Sequence, residues 1–123
     1  MAQVLGLDHI SIIVSDAEAS LNFYQDLLGL ECLKRPDLGF PGYWLNLHKG
    51  QTIHIMQLDN PFSDVVRPKH GGRDFHFALR VDDLDKFVQK LTNMKQDFTL
   101  SQSGRKALFA RDLDNNTFEL FQS

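Results

Sequence analysis

The chain has 123 residues, enough for one ordinary core and too few for two independent ones. Hydrophobic residues make up 42% and charged residues 24%, which argues against whole-chain disorder, and the net charge of −3 gives no basic surface for nucleic acid. A single cysteine, Cys32, excludes an internal disulfide.

The start, Met1–Gly6, lacks a positive flank and a long apolar run, and Asp8 follows soon after. It does not read as a signal peptide, and no apolar run approaches a membrane span, so a soluble cytoplasmic protein is expected. Leu7 to Val14 reads as a strand, followed by Ser15-Asp16 as a helix cap. Ala17, Leu21, Tyr24, Leu27 and Leu28 fall at helical spacing, and Gly29 stands where that helix would stop. Three short strands are expected at 31–34, 43–47 and 52–58, with Lys49-Gly50 turning between the last two. Cys32, in the first of them, is expected to be a small buried apolar residue.

A polar, proline-containing stretch, 59–72, reads as a linker and a possible lid. The pattern then restarts. Residues 73–81 form a strand, Asp82-Asp83 cap a helix, and Leu84, Phe87, Val88, Leu91 and Met94 mark its apolar face. Strands are expected at 97–100, 107–111 and 117–121, with Asp112 to Asn116 as a turn. A shift of 67 residues, the separation of His9 and His76, also aligns Val14 with Val81 and Asp16 with Asp83. The chain is therefore read as one domain of two β-α-β-β-β modules, about 4–58 and 73–122, joined by the linker.

Side chains alternate along a strand. In the first strand His9 shares a face with Ser11 and Ile13, while Ile10 and Ile12 point to the helix. In the second module's first strand His76 shares a face with Asp74, Ala78 and Arg80, opposite Phe75, Phe77 and Leu79. In the last strands His54 alternates with Ile53 and Ile55, and Glu119 with Phe118 and Leu120. A lone histidine in such a place is ordinarily solvent-facing, and a lone Glu is ordinarily the outer side of an edge strand. Four coordinating residues at corresponding places in a repeat point instead to one divalent ion held by His9, His54, His76 and Glu119: zinc, nickel, cobalt, manganese or iron(II). His54 is the weakest member and could serve behind the other three. His48 and His70 are expected at the surface. Arg80 and Arg105 could each hold an anionic substrate group, although a structural ion pair is the plainer expectation for both.

Leu7-Asp8-His9-Ile10, Ser20-Leu21-Asn22-Phe23-Tyr24, Leu28-Gly29-Leu30, Phe75 to Val81, and Arg111-Asp112-Leu113-Asp114 leading into Phe118-Glu119-Leu120 resemble the vicinal oxygen chelate superfamily over nearly the whole chain. That superfamily includes glyoxalase I, extradiol dioxygenases, fosfomycin-resistance thiol transferases, methylmalonyl-CoA epimerase and bleomycin-resistance proteins. The resemblance implies an α+β fold in which the two modules form a cupped, incomplete barrel. It also implies a homodimer, with a metal site that takes ligands from both chains in many relatives. By position it carries the ligand role to His9, His76 and Glu119. His54 falls where glyoxalase I has Glu and the epimerase Gln, and Ile13 where bacterial glyoxalases have an Arg for glutathione. The implied activity is that of a glyoxalase-like lyase or isomerase stabilising an enediolate of a small 2-oxo or hemithioacetal substrate, with Glu119 as the base. The alternatives within the resemblance are an iron(II) dioxygenase, a thiol transferase and a metal-free binding protein.

Overall fold

The computed structural model describes residues 1–123. The chain forms two compact units, Met1–Asp59 and Asn60–Ser123. In the first, β1 (His9–Val14), α1 (Ala17–Leu28), β2 (Cys32–Leu33), β3 (Gly42–Asn46) and β4 (Thr52–Gln57) make one four-stranded sheet in the order β1-β4-β3-β2. In the second, a 3-10 turn (Gly71–Arg73) precedes β5 (His76–Val81), α2 (Leu84–Asn93), β6 (Phe98–Leu100), β7 (Ala107–Arg111) and β8 (Thr117–Gln122), in the order β5-β8-β7-β6. This is the α+β repeat expected from the sequence. No helix is long and apolar enough to cross a membrane.

Both helices begin as their sequences direct. Asp16 accepts from the Ala19 N–H at 3.1 Å and Asp83 from the Lys86 N–H at 3.3 Å, satisfying donors that a helix start leaves free. Gly29 ends α1 in the left-handed region at φ 65°, its N–H bonded to the Gln25 carbonyl. The first unit buries Tyr24 and Leu27 of α1 together with Val14, Leu45, Ile53 and Ile55 of the sheet; the second unit buries Leu84, Leu91, Leu108, Phe118 and Leu120.

The first and last strands of each unit run parallel. Ile10 pairs with Ile53 and Ser11 with His54; Phe77 pairs with Phe118 and Ala78 with Glu119. The last residue of each final strand reaches the helix of its own unit: Gln57 Oε1 accepts from the Ala17 N–H at 2.9 Å, and Gln122 Oε1 from the Leu84 N–H at 2.8 Å.

Several local expectations change. Residues Leu7 and Asp8 lie outside β1, and β2 is only two residues long. Cys32 is exposed rather than buried, because β2 is an edge strand with little packed over it. Phe75 precedes β5 and is 92% exposed, so the apolar face of that strand starts at Phe77. Within the stretch read as a linker, His70 is part-buried: its Nδ1 lies 2.7 Å from Thr99 Oγ1 and its ring meets Phe109 edge-on. Arg80 and Arg105 have no carboxylate partner; both lie over the Phe121 ring, at 5.6 and 4.0 Å.

The paired glutamine ties should each be worth about 1 kcal/mol, the usual net value of a protein hydrogen bond. Gln57→Ala and Gln122→Ala are each expected to lower the urea midpoint with the slope unchanged. A wild-type midpoint for both would show the ties to be incidental.

Candidate metal centre

The parallel pairing of β1 with β4 and β5 with β8 decides which expected site residues become neighbours. In the first unit His9 and His54 stack, ring centroids 4.0 Å apart and 12° from parallel. Trp44, paired with His54 across β3 and β4, stacks on the other side at 4.3 Å and 8°. His54 is thus the middle ring of three. Its pKa is lowered, first by burial and then by the nearby His9; Asp8 opposes this and the Arg35 cation adds to it. A neutral imidazole keeps the lone pair that a metal needs.

In the second unit His76 Nε2 lies 3.3 Å from Glu119 Oε1. Glu119 is buried, since β8 is a central strand flanked by β5 and β7; it is not on the exposed side of an edge. Its cross-strand neighbours are the exposed Ala78 and the buried Phe109.

His9 and His76 are both oriented through Nδ1. In His9 that atom lies 2.7 Å from the Asp8 carboxylate, and in His76 it lies 2.9 Å from the Asp74 carbonyl oxygen. A carbonyl can only accept, so Nδ1 of His76 donates and Nε2 is turned to Glu119. Hydrogen bonding of one ring nitrogen to a carboxylate or carbonyl is the usual support for a histidine that binds metal through the other. Sequence reasoning missed Asp8 and Asp74 in this role, although each lies within two residues of its histidine.

Whether the donors suit a metal ion can be tested on these distances. Two ligands about 2.1 Å from a tetrahedral ion stand about 3.4 Å apart, and the His76–Glu119 separation of 3.3 Å agrees with that. Imidazole and carboxylate are the appropriate donor types. Each unit contributes two of the four expected donors, and no group of three or more His, Cys, Asp or Glu side chains that could hold an ion is present.

The Asp74 side chain anchors the segment leading into β5. It receives Arg67 Nε at 2.6 Å and Arg111 Nη1 at 2.7 Å and is itself buried. Burial alone would raise its pKa, but the two arginine hydrogen bonds outweigh that and hold it at about 2. Arg111 also bonds Thr117 and the Pro68 carbonyl, which fastens the segment before β5 to the start of β8.

Residues 6–120 match the Glyoxalase/Bleomycin resistance protein/Dioxygenase superfamily. Glyoxylase I 4 of Arabidopsis thaliana is 30% identical over 93 residues, which are 75% of this chain; the chain spans only 53% of that protein's length. The mitochondrial methylmalonyl-CoA epimerase of Homo sapiens is 24% identical over 118 residues, 88% of this chain and 67% of the relative. The fold is also that of the fosfomycin resistance protein FosX from Listeria monocytogenes, crystallised with Mn(II) and sulfate (TM-score 0.75, 21% identity, 98% of this chain and 92% of that one).

Replacing Asp74 by Ala takes the paired carboxylate from two arginines whose side chains are only about a fifth exposed (23% and 19%). The expected loss is about 3 kcal/mol, the low end for a broken buried ion pair. Urea unfolding would reveal it, and a midpoint equal to wild type would contradict the anchoring role.

Proposed function

The chain belongs to the Glyoxalase/Bleomycin resistance protein/Dioxygenase superfamily, and from that premise we propose that it is a metal-dependent, glyoxalase-like lyase or isomerase of a small 2-oxo compound or hemithioacetal. The observation that carries the reading is the buried Glu119 carboxylate facing an oriented His76 Nε2 at a separation suited to a shared ion. Similarity to a glyoxylase and to an epimerase supports it, as does the Mn(II) bound by FosX from Listeria monocytogenes.

In this proposal His9, His54, His76 and Glu119 hold one divalent ion. When bound, the ion polarises a carbonyl oxygen as a Lewis acid. The residues of the chain do the rest. Asp8 fixes the His9 imidazole and the Asp74 carbonyl that of His76, so that little rearrangement is needed at the moment of reaction. Trp44 and His9 hold the His54 ring between them. Glu119 takes the proton from the carbon next to the carbonyl: the C–H bond breaks, an O–H bond forms on the carboxylate, and the electron pair moves toward the carbonyl oxygen. Returning that proton to the former carbonyl carbon, while the hydroxyl proton on the neighbouring carbon passes to the former carbonyl oxygen and that carbon becomes the new carbonyl, completes an isomerisation with no net gain or loss of atoms. The buried Phe109 ring, cross-strand from Glu119, limits the water that could intercept the proton. The proposed working form is a homodimer in the cytoplasm.

The test is metal analysis of protein purified without chelator, followed by assays with methylglyoxal and a series of thiols under each of the five metals. Glu119→Gln should cut turnover by about two to four orders of magnitude, the range for loss of a general base. Retention of most of the rate would remove Glu119 from that role, and protein that binds none of the metals would end the reading. Light scattering should give twice the chain mass of 14.1 kDa.

A further inference from the structure

Arg35 stands apart from the other arginines. Its guanidinium lies over the Phe40 ring at 4.9 Å, and Nη1 donates to the Phe40 carbonyl at 3.1 Å. The remaining two nitrogens, Nε and Nη2, are buried and find no acceptor in the protein. No carboxylate comes to it; the nearest in sequence, Asp37, accepts instead from the Gly39 N–H at 2.9 Å.

Those two nitrogens are not an arbitrary pair. Nε–H and the adjacent Nη2–H form the side-on edge of a guanidinium, the fork that grips a carboxylate or phosphoryl group through two parallel hydrogen bonds. Arginine cannot shed its proton to escape burial, so the unmatched cation is costly until an anion reaches it.

The position of the fork is set by the sheet. Leu33 pairs with Trp44 across β2 and β3; continued by two residues, the same register brings Arg35 opposite Gly42. A Cβ on Gly42 would come within 3.0 Å of Arg35 Cζ and Nη2, and would also strike the Ile55 carbonyl oxygen. The missing side chain is the space the guanidinium occupies. Gly42 and Trp44 are two apart on β3 and so share a face, and Trp44 stacks on His54. Arg35 therefore lies on the His54 face of the sheet, one row further along, roughly 7 Å in strand distance.

We propose that the Nε/Nη2 fork of Arg35 is an oxyanion-binding site, and that the substrate carries a carboxylate or phosphoryl group a few bonds from its reacting oxygens. The substrate clause rests on the reading of His54 as a member of the metal centre; the oxyanion site itself does not. Arg35 is a specificity residue here, taking no part in proton transfer, and Gly42 is what leaves room for it.

The experiment uses full-length protein stripped of metal and dialysed free of chelator, so its outcome is independent of the metal reading. The Arg35 Nε–Hε resonance is followed by NMR during titration with inorganic phosphate and, separately, with acetate, against sodium chloride at equal ionic strength. A saturable shift with one or both oxyanions and none with chloride is expected, and the stronger binder tells phosphoryl from carboxylate. Arg35→Gln should weaken that binding at least about tenfold, as loss of a charge-assisted pair implies, while the exposed Arg73→Gln leaves it unchanged. Gly42→Ala should weaken it too. No saturable change at Arg35 in wild-type protein overturns the proposal whatever the variants do, as does undiminished binding in a folded Arg35→Gln protein.

Discussion

Each unit depends on the parallel pairing of its first strand with its last. Parallel neighbours need a crossover between them, and here the crossover holds the helix and two further strands. The pairing brings together residues more than forty positions apart: His9 and Ser11 come beside Thr52 and His54, and His76 and Ala78 beside Thr117 and Glu119. It also makes the last strand central, flanked on both sides, and so removes Glu119 from water. An acidic residue at an edge would merely be solvated. The same residue in the middle of a sheet needs a partner, and the structure gives it a histidine.

The two halves solve the same local problem by different means. Both orient a histidine through Nδ1, but the first uses a side-chain carboxylate, Asp8, and the second a backbone carbonyl, Asp74. The second arrangement leaves the Asp74 carboxylate free for Arg67 and Arg111, which pin the segment before β5 against β8. The first is more open: the His9 side chain is 41% exposed and that of Asp8 87%. The repeat thus preserves where the donors stand and lets their support diverge.

Much of this could be read from the residues. The helix from Ala17 to Leu28 was legible to both ends because its cap, its apolar spacing and its terminal glycine agree. The faces of His9, His54, His76 and Glu119 followed from alternation alone. What alternation cannot tell is which strands are neighbours and which are edges. Cys32 was therefore expected in the interior though its strand is a two-residue edge, and Phe75 was counted in a strand that begins one residue later. His70 was expected at the surface because nothing near it in sequence announces Thr99 and Phe109. Arg35 drew no notice for a similar reason. Its significance lies in two unpartnered nitrogens and in the absence of a side chain at Gly42, and both are facts of cross-strand register.

The glutamine at the end of each final strand gives the chain a timetable. Helix α1 can be fastened only after Gln57 exists, and α2 only after Gln122 does, since each waits on a side chain some forty residues downstream. A ribosome making this protein from its N-terminus would release everything the first unit needs for closure while the second was still being synthesised. Each half locks when its own last strand arrives, so the two closures fall in sequence during synthesis.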